Sequence, residues 1–184
     1  MKHNIALVSA LSCVLGSLPL QSVFAAETST HPIEALSFLN GTWEGNGWIR
    51  QGPSAPQNFN SQEVVETKAG DRVLTITGKH TAADTGRLVH DAFAVVSPGA
   101  SAQSYRMQSF LASGQPGDFQ AHLEQGAFIW ESTDPRGKIR FTIRVANDEW
   151  KEVGEYSSDG AKWHEFFGMS LKRVSGGTAR GGCN

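Results

Sequence analysis

The alternation of apolar and polar residues predicts short strands over most of this chain. From Gly41 to Ser175 apolar residues recur at every second position in short runs, and residues that favour turns separate the runs. No segment in this range has the apolar spacing of a long helix. We therefore predict an all-β fold, an antiparallel up-and-down β-barrel of about ten strands.

Four short turns set the expected register of the second half of the barrel. They are Gln125-Gly126, Pro135-Arg136, Asn147-Asp148 and Asp159-Gly160, each treated as a two-residue loop. These turns set which residues lie opposite each other, and side chains alternate across a strand, so one face of the sheet is predicted to be largely apolar. We assign this face to the lumen. Its members are Phe119, Ala121, Leu123, Phe128, Trp130, Ile139, Phe141, Ile143, Val145, Trp150, Glu152, Gly154, Tyr156, Trp163, Glu165, Phe167, Met169 and Leu171.

For the first five strands the sequence indicates less clearly which side chains face the lumen. Residues expected to face inward there are Val65, Leu74, Ile76, Tyr105, Met107 and Leu111. Over residues 87–97 two phases fit equally, one with Phe93 inward and one with Ala92 inward. The sequence therefore leaves open whether His90 or Asp91 faces the lumen.

The opposite face of the same strands carries two rows of side chains. One is a charged row in which Glu131, Arg140, Glu155 and His164 are expected to lie opposite one another. The other row is apolar and consists of Ile129, Thr142, Val153, Phe166 and Trp48. An apolar row should not face water, so we expect a short helix within residues 32–39 to cover it, or else a partner protein.

The first 25 residues have the features of a secretory signal peptide. A single Lys precedes an apolar run over residues 5–20, and small residues stand where a signal peptidase cleaves. The predicted segments are the signal peptide (1–25), a pre-barrel segment with a short helix (26–40), the barrel (41–175) and a disordered Gly-rich tail (176–184). We expect an exported protein, periplasmic or extracellular, without a membrane span.

Charge and cysteine content argue against a nucleic-acid partner and against a disulfide bond within the chain. The formal net charge is −2 and no basic run is present, so nucleic acid is not an expected partner. Cleavage of the signal peptide would remove Cys13 and leave Cys183 as the single cysteine of the chain, so no disulfide within the chain is expected.

The expected lumen predicts a ligand site. Barrels of this size enclose one small apolar molecule that a few polar groups orient, or they fill themselves with side chains. We predict a carrier or sensor for a small apolar or amphipathic molecule, as a monomer or homodimer; the alternative is an envelope protein-interaction module with a filled core. The predicted ligand-binding residues are Tyr105, Met107, Trp130, Phe141, Glu152, Tyr156, Glu165 and Phe167.

Catalysis is the weaker hypothesis. The chain has no Gly-x-Ser-x-Gly, His-Glu-x-x-His or Cys-x-x-Cys motif. Glu152 and Glu165 are the candidates for a general acid and base, since both are expected on the apolar wall. We predict no catalytic residues, metal site or cofactor.

The two ends of the barrel sequence resemble those of the calycin superfamily. Gly41, Trp43 and Arg173 match its Gly-x-Trp motif and its basic residue on the last strand. The chain is most similar to uncharacterised bacterial lipocalin-like domains related to nitrobindin-like ten-stranded barrels. That resemblance implies a ligand-binding barrel, and for the nitrobindin-like proteins it implies haem held by a His on the last strand. The candidate here is His164, which the register places outside, with His80 or His90 as substitutes only if they face inward.

Overall fold

The computed structural model describes residues 31–176, which form a closed antiparallel barrel of ten strands preceded by one short 3-10 helix. The predicted signal peptide and nearly all of the predicted tail lie outside the described residues. The 3-10 helix is Pro32–Leu39, and the strands are β1 (Gly41–Ile49), β2 (Gln57–Lys68), β3 (Val73–Ala82), β4 (Leu88–Pro98), β5 (Ser104–Leu111), β6 (Pro116–Glu124), β7 (Ala127–Asp134), β8 (Gly137–Ala146), β9 (Glu149–Ser157) and β10 (His164–Ser175).

Each strand pairs with the next along the chain, and β1 pairs with β10 to close the barrel. The predicted fold class is therefore confirmed. Three of the predicted turns also have the expected two-residue length, namely those between β6 and β7, β7 and β8, and β8 and β9. At the last of these, Asn147 and Asp148 both have positive φ, the conformation that matches the twist of a tight hairpin.

The register across β7, β8 and β9 follows from these turns. Glu131 lies opposite Arg140, and Arg140 lies opposite Glu155. The Arg140 guanidinium binds the Glu155 carboxylate at 2.7 Å on the outer face. This part of the predicted charged row is confirmed.

The predicted register of β10 is wrong. Residues 158–163 form a six-residue loop instead of the expected two-residue turn, because the Asp159 carboxylate accepts hydrogen bonds from the backbone N–H groups of Ala161 and Lys162. Glu165 consequently pairs with Glu155, and His164 pairs with Tyr156 instead of continuing the charged row. Glu165 is therefore exposed on the outer side, not in the lumen.

A bulge between Glu165 and Phe167 then restores the expected facing of the rest of β10. The Phe166 ring packs edge-on against Phe141 at 5.5 Å, so the prediction that Phe166 belongs to the outer apolar row is also wrong. Gly168 takes its place opposite Val153. The indole of Trp48 lies so close to Gly168 that a Cβ there would come within 2.7 Å of the ring.

Trp163 was expected in the lumen and does not lie there. It precedes β10, and the guanidinium of Arg140, which belongs to the outer face, lies 4.1 Å from the centre of its ring.

The 3-10 helix closes one end of the barrel. The prediction that it covers the outer apolar row is therefore wrong. Its side chains Ile33, Leu36 and Leu39 are fully buried and belong to the main core. Two hydrogen bonds hold it in place, from Trp43 Nε1 to the Leu39 carbonyl (2.8 Å) and from the Tyr105 hydroxyl to the Pro32 carbonyl (3.0 Å).

Arg173 completes this closed end. It pairs with Trp43 across β1 and β10, and its guanidinium lies 3.9 Å from the centre of the indole ring. The same guanidinium donates hydrogen bonds to the carbonyls of Phe38 and Asn40 and to the Asp148 carboxylate. Arg173 therefore joins the 3-10 helix to the last strand.

The burial of its side chains shows which residues of β4 face the lumen. Ala94 and Val96 are buried whereas Phe93 is exposed, so the phase with Ala92 inward is the observed one. His90 shares this phase and lies opposite His80 of β3.

Candidate functional site

The barrel contains a cavity of about 770 Å³ that extends to the end opposite the 3-10 helix. Loop residues Gln51, Pro56, Asp84 and Gln115 line its mouth. The walls are mostly apolar and include Phe59, Ile76, Met107, Phe119, Trp130, Phe141, Ile143, Phe167 and Met169.

Stacked rings form one wall of the cavity. Trp130 lies parallel to Phe141 with ring centres 4.1 Å apart, and Phe119 approaches Trp130 at 4.7 Å. Gly154 lies behind Phe141, where a Cβ would come within 2.7 Å of the ring. The absence of a side chain at residue 154 therefore allows the Phe141 ring to lie against the wall.

A cluster of polar side chains from β2, β3 and β9 interrupts the apolar lining. Glu63 Oε1 lies 3.0 Å from His80 Nε2, and the Ser61 hydroxyl donates to the same oxygen at 3.5 Å. Glu152 accepts a hydrogen bond on Oε2 from the indole N–H of Trp150 at 3.2 Å. All of these side chains are buried.

Two neighbours shape the Glu63 and His80 pair. The His80 ring stacks in parallel on Phe59 with centres 4.5 Å apart. Residue 78 is glycine, and a Cβ there would come within 2.6 Å of Glu63 Oε2. The glycine thus leaves room for the carboxyl group to lie across β3.

Burial controls the charge of this cluster. Desolvation raises the pKa of Glu63 to about 8, partly offset by the Ser61 hydrogen bond. Desolvation and then the charge of Glu63 raise the pKa of Glu152 to about 8, while burial lowers the pKa of His80 to about 4. These shifts favour the uncharged form of all three side chains at neutral pH, in which a protonated Glu63 can share a hydrogen bond with His80 Nε2.

The structure brings together five of the predicted ligand-binding residues around the cavity, namely Met107, Trp130, Phe141, Glu152 and Phe167. Tyr105 is buried at the closed end and does not line the cavity. The Tyr156 hydroxyl donates to the Arg136 carbonyl at 2.6 Å beside the turn between β7 and β8. Glu165 is exposed on the outer side, so it does not act together with Glu152.

Sequence reasoning missed Glu63 as a residue of the lumen. A signal was present, because Val65 was already assigned inward and alternation along β2 places Glu63 and Ser61 on the same face. For His80 the corresponding signal is the inward Ile76 on β3, four residues earlier.

The residues present do not fit haem held through His164. His164 is exposed at the start of β10 and does not line the cavity. His80 does line it, but its Nε2 is already hydrogen-bonded to Glu63. Within residues 31–176 no group of three or more His, Cys, Asp or Glu side chains is placed to hold a metal ion. No helix in the described part of the chain is long and apolar enough to cross a membrane.

Comparison with known proteins supports the fold and not a family. No protein-family profile and no curated protein sequence matches the chain. Among solved structures, Rv2717c from M. tuberculosis is similar with a TM-score of 0.62 and 17% identity, over 77% of this chain and 96% of that one. The S-type phycobiliprotein lyase CPES from Guillardia theta is similar with a TM-score of 0.58 and 11% identity, over 79% of this chain and 93% of that one. These similarities show the barrel fold alone.

Proposed function

We propose that this protein is a carrier or sensor that binds a small apolar or amphipathic molecule in the barrel lumen. The observation that carries the proposal is the cavity of about 770 Å³, with stacked aromatic walls and one buried polar cluster. Ligand pockets in proteins have volumes of roughly 300–1,000 Å³ and combine apolar walls with a few orienting polar groups. In the proposed role the protein is exported, as its first 25 residues predict, and binds its ligand outside the cytoplasm.

The size of the cavity favours this proposal over an interaction module with a filled core. Protein interiors are packed about as densely as organic crystals, with few voids larger than a water molecule. A barrel whose lumen served only as a core would be expected to bring larger side chains to the positions of Ala92 and Ala94, which line the cavity here.

The proposal predicts that filling the lumen blocks binding. Ala92 lines the cavity on β4, so in Ala92→Trp the added indole would occupy space that the ligand needs. We expect the Kd for Nile red, an uncharged apolar dye, to rise about tenfold or more, equivalent to about 1.4 kcal/mol. Dye fluorescence measured during titration with protein gives this Kd.

Two control variants separate lumen binding from surface binding. Ala146→Trp makes the same change on the outer side of β8, and Phe110→Ser removes an exposed outer ring. Both should bind the dye as the wild type does. Unchanged binding by Ala92→Trp, or loss of binding in Phe110→Ser, would contradict the proposal.

A further inference from the structure

The cavity lining contains carboxyl groups but no permanent cation. Among the described residues that line it, the titratable side chains are Glu63, His80, Asp84, His90 and Glu152, and none is Lys or Arg. Asp84 and His90 lie toward the mouth, whereas Glu63, His80 and Glu152 are buried. The lumen can therefore become negatively charged at high pH without a balancing positive charge on its wall.

Each buried carboxyl group also retains unused hydrogen-bonding capacity. Glu63 and Glu152 are only 6% and 8% exposed. Within residues 31–176, Ser61 and His80 bind only Oε1 of Glu63, and Trp150 binds only Oε2 of Glu152. One oxygen of each group thus has no protein partner, and neither of these oxygens is sealed off from the cavity. A ligand in the cavity that donates hydrogen bonds could therefore bind both of them.

The apolar wall suits the same kind of ligand. Aromatic faces carry negative charge density and attract cations within about 6 Å of the ring centre. Phe59, Trp130, Phe141 and Phe167 line the cavity together with the two carboxyl groups. A charged head and an apolar body would therefore both find complementary surfaces in one lumen.

We propose that the lumen is selective for an amphipathic amine, whose ammonium group donates hydrogen bonds to Glu63 and Glu152 while its apolar body packs against the aromatic wall. This inference rests on the proposed function, because it names the class of ligand for the same cavity. A carboxylate ligand would meet two carboxyl groups and no cation, so it should bind less tightly than an uncharged one.

Binding of an amine should be coupled to proton release. In the empty barrel at neutral pH both carboxyl groups hold a proton, because burial raises their pKa values to about 8. An ammonium ion pairs with a carboxylate, so the carboxyl O–H bond breaks and its proton leaves to solvent as the ligand binds. His80 and His90 face the same space, but burial lowers both pKa values, and they stay neutral above about pH 6.5.

Three probes with one apolar body test the inference in isothermal titration calorimetry on the wild-type protein: 1-naphthylmethylamine, 1-naphthalenemethanol and 1-naphthoate. We expect the amine to bind at least about tenfold more tightly than the alcohol at pH 8, and the naphthoate most weakly. The Kd for the amine should rise about fifteenfold in all from pH 8 to 6.5, because one proton is displaced from a carboxyl group whose pKa is about 8. Titrations at pH 7 in buffers of different ionisation enthalpy should show release of about one proton.

Variants identify the groups responsible. The double variant Glu63→Gln/Glu152→Gln keeps the side-chain shapes but has no group in the cluster that can become anionic, so it should weaken amine binding about tenfold or more and leave alcohol binding within about twofold. Glu165→Gln is the matched control, since Glu165 is exposed on the outer side. It should change the affinity for neither probe.

The probes distinguish failure of this inference from failure of the proposed function. If the alcohol binds as tightly as the amine, or naphthoate binds most tightly, amine selectivity is overturned and lumen binding stands. If none of the three binds, amine selectivity is overturned, and loss of Nile red binding as well would show that lumen binding fails with it. The comparison of probes on the wild-type protein holds even if a variant does not fold.

Discussion

Replacing Trp43 by alanine is expected to lower the free energy of unfolding by about 3–5 kcal/mol, the usual cost of truncating a buried aromatic side chain to alanine. Trp43 is fully buried and packs edge-on against Trp150 with ring centres 5.5 Å apart. Its indole also donates to the Leu39 carbonyl and lies beneath the Arg173 guanidinium. The substitution therefore removes core packing and an anchor of the 3-10 helix in one step.

Urea unfolding followed by circular dichroism measures this loss. Trp48→Ala is the matched control, because Trp48 is only partly buried and its indole packs over Gly168 on the outer side. It should cost about 1 kcal/mol, as expected for a partly buried site. A loss below about 1 kcal/mol for Trp43→Ala would contradict the assignment of Trp43 and Arg173 as the closure of the barrel.

Stability is expected to fall as the pH rises from about 6.5 to 8. The carboxyl groups of Glu63 and Glu152 have an ordinary pKa of 4.5, which applies to the unfolded chain, and a pKa of about 8 in the barrel. Between these values the folded chain holds protons that the unfolded chain has lost, so raising the pH favours unfolding. The loss ends once the pH exceeds the folded pKa values.

His80 acts in the opposite direction at lower pH. Its pKa falls from 6.5 to about 4 in the barrel, so stability from His80 rises with pH between these values and is complete above 6.5. It therefore offsets part of the carboxyl effect below pH 6.5. Above that pH both carboxyl groups act unopposed by His80, and their combined loss is on the order of 2–4 kcal/mol.

Urea midpoints measured from pH 5 to 9 test this dependence. The double variant Glu63→Gln/Glu152→Gln should remove the decline between pH 6.5 and 8, whereas Glu165→Gln should retain it. Stability that stays level or rises over this range in the wild-type protein would contradict the burial of two protonated carboxyl groups in the lumen.

The sequence predictions were accurate where two-residue turns join the strands. Where two residues such as Asn147 and Asp148 close a hairpin, turn geometry leaves one register, and alternation then assigns every side chain to a face. The predicted register of the last hairpin was wrong because the Asp159 carboxylate binds backbone N–H groups within a six-residue loop. The Asp-Gly pair alone does not reveal such a loop.

The polar cluster could be predicted only in part. Glu152 followed from the register of β9, but Glu63 and His80 lie on strands joined by a loop longer than two residues, so no tight turn related their faces. A helix at Pro32–Leu39 was expected from its apolar residues. The surface it covers depends on contacts with Tyr105 and Trp43, which are distant from one another in the sequence.

The most direct test of lumen binding uses the methionine methyl groups. The chain has three methionines, and Met107 and Met169 both line the cavity. With ¹³C-methyl methionine labelling, titration with 1-naphthalenemethanol should shift both of these NMR signals along one saturable curve, because the naphthalene ring would lie in the lumen beside them. If the probe binds while both signals stay unchanged, the binding site lies outside the lumen and the account is contradicted.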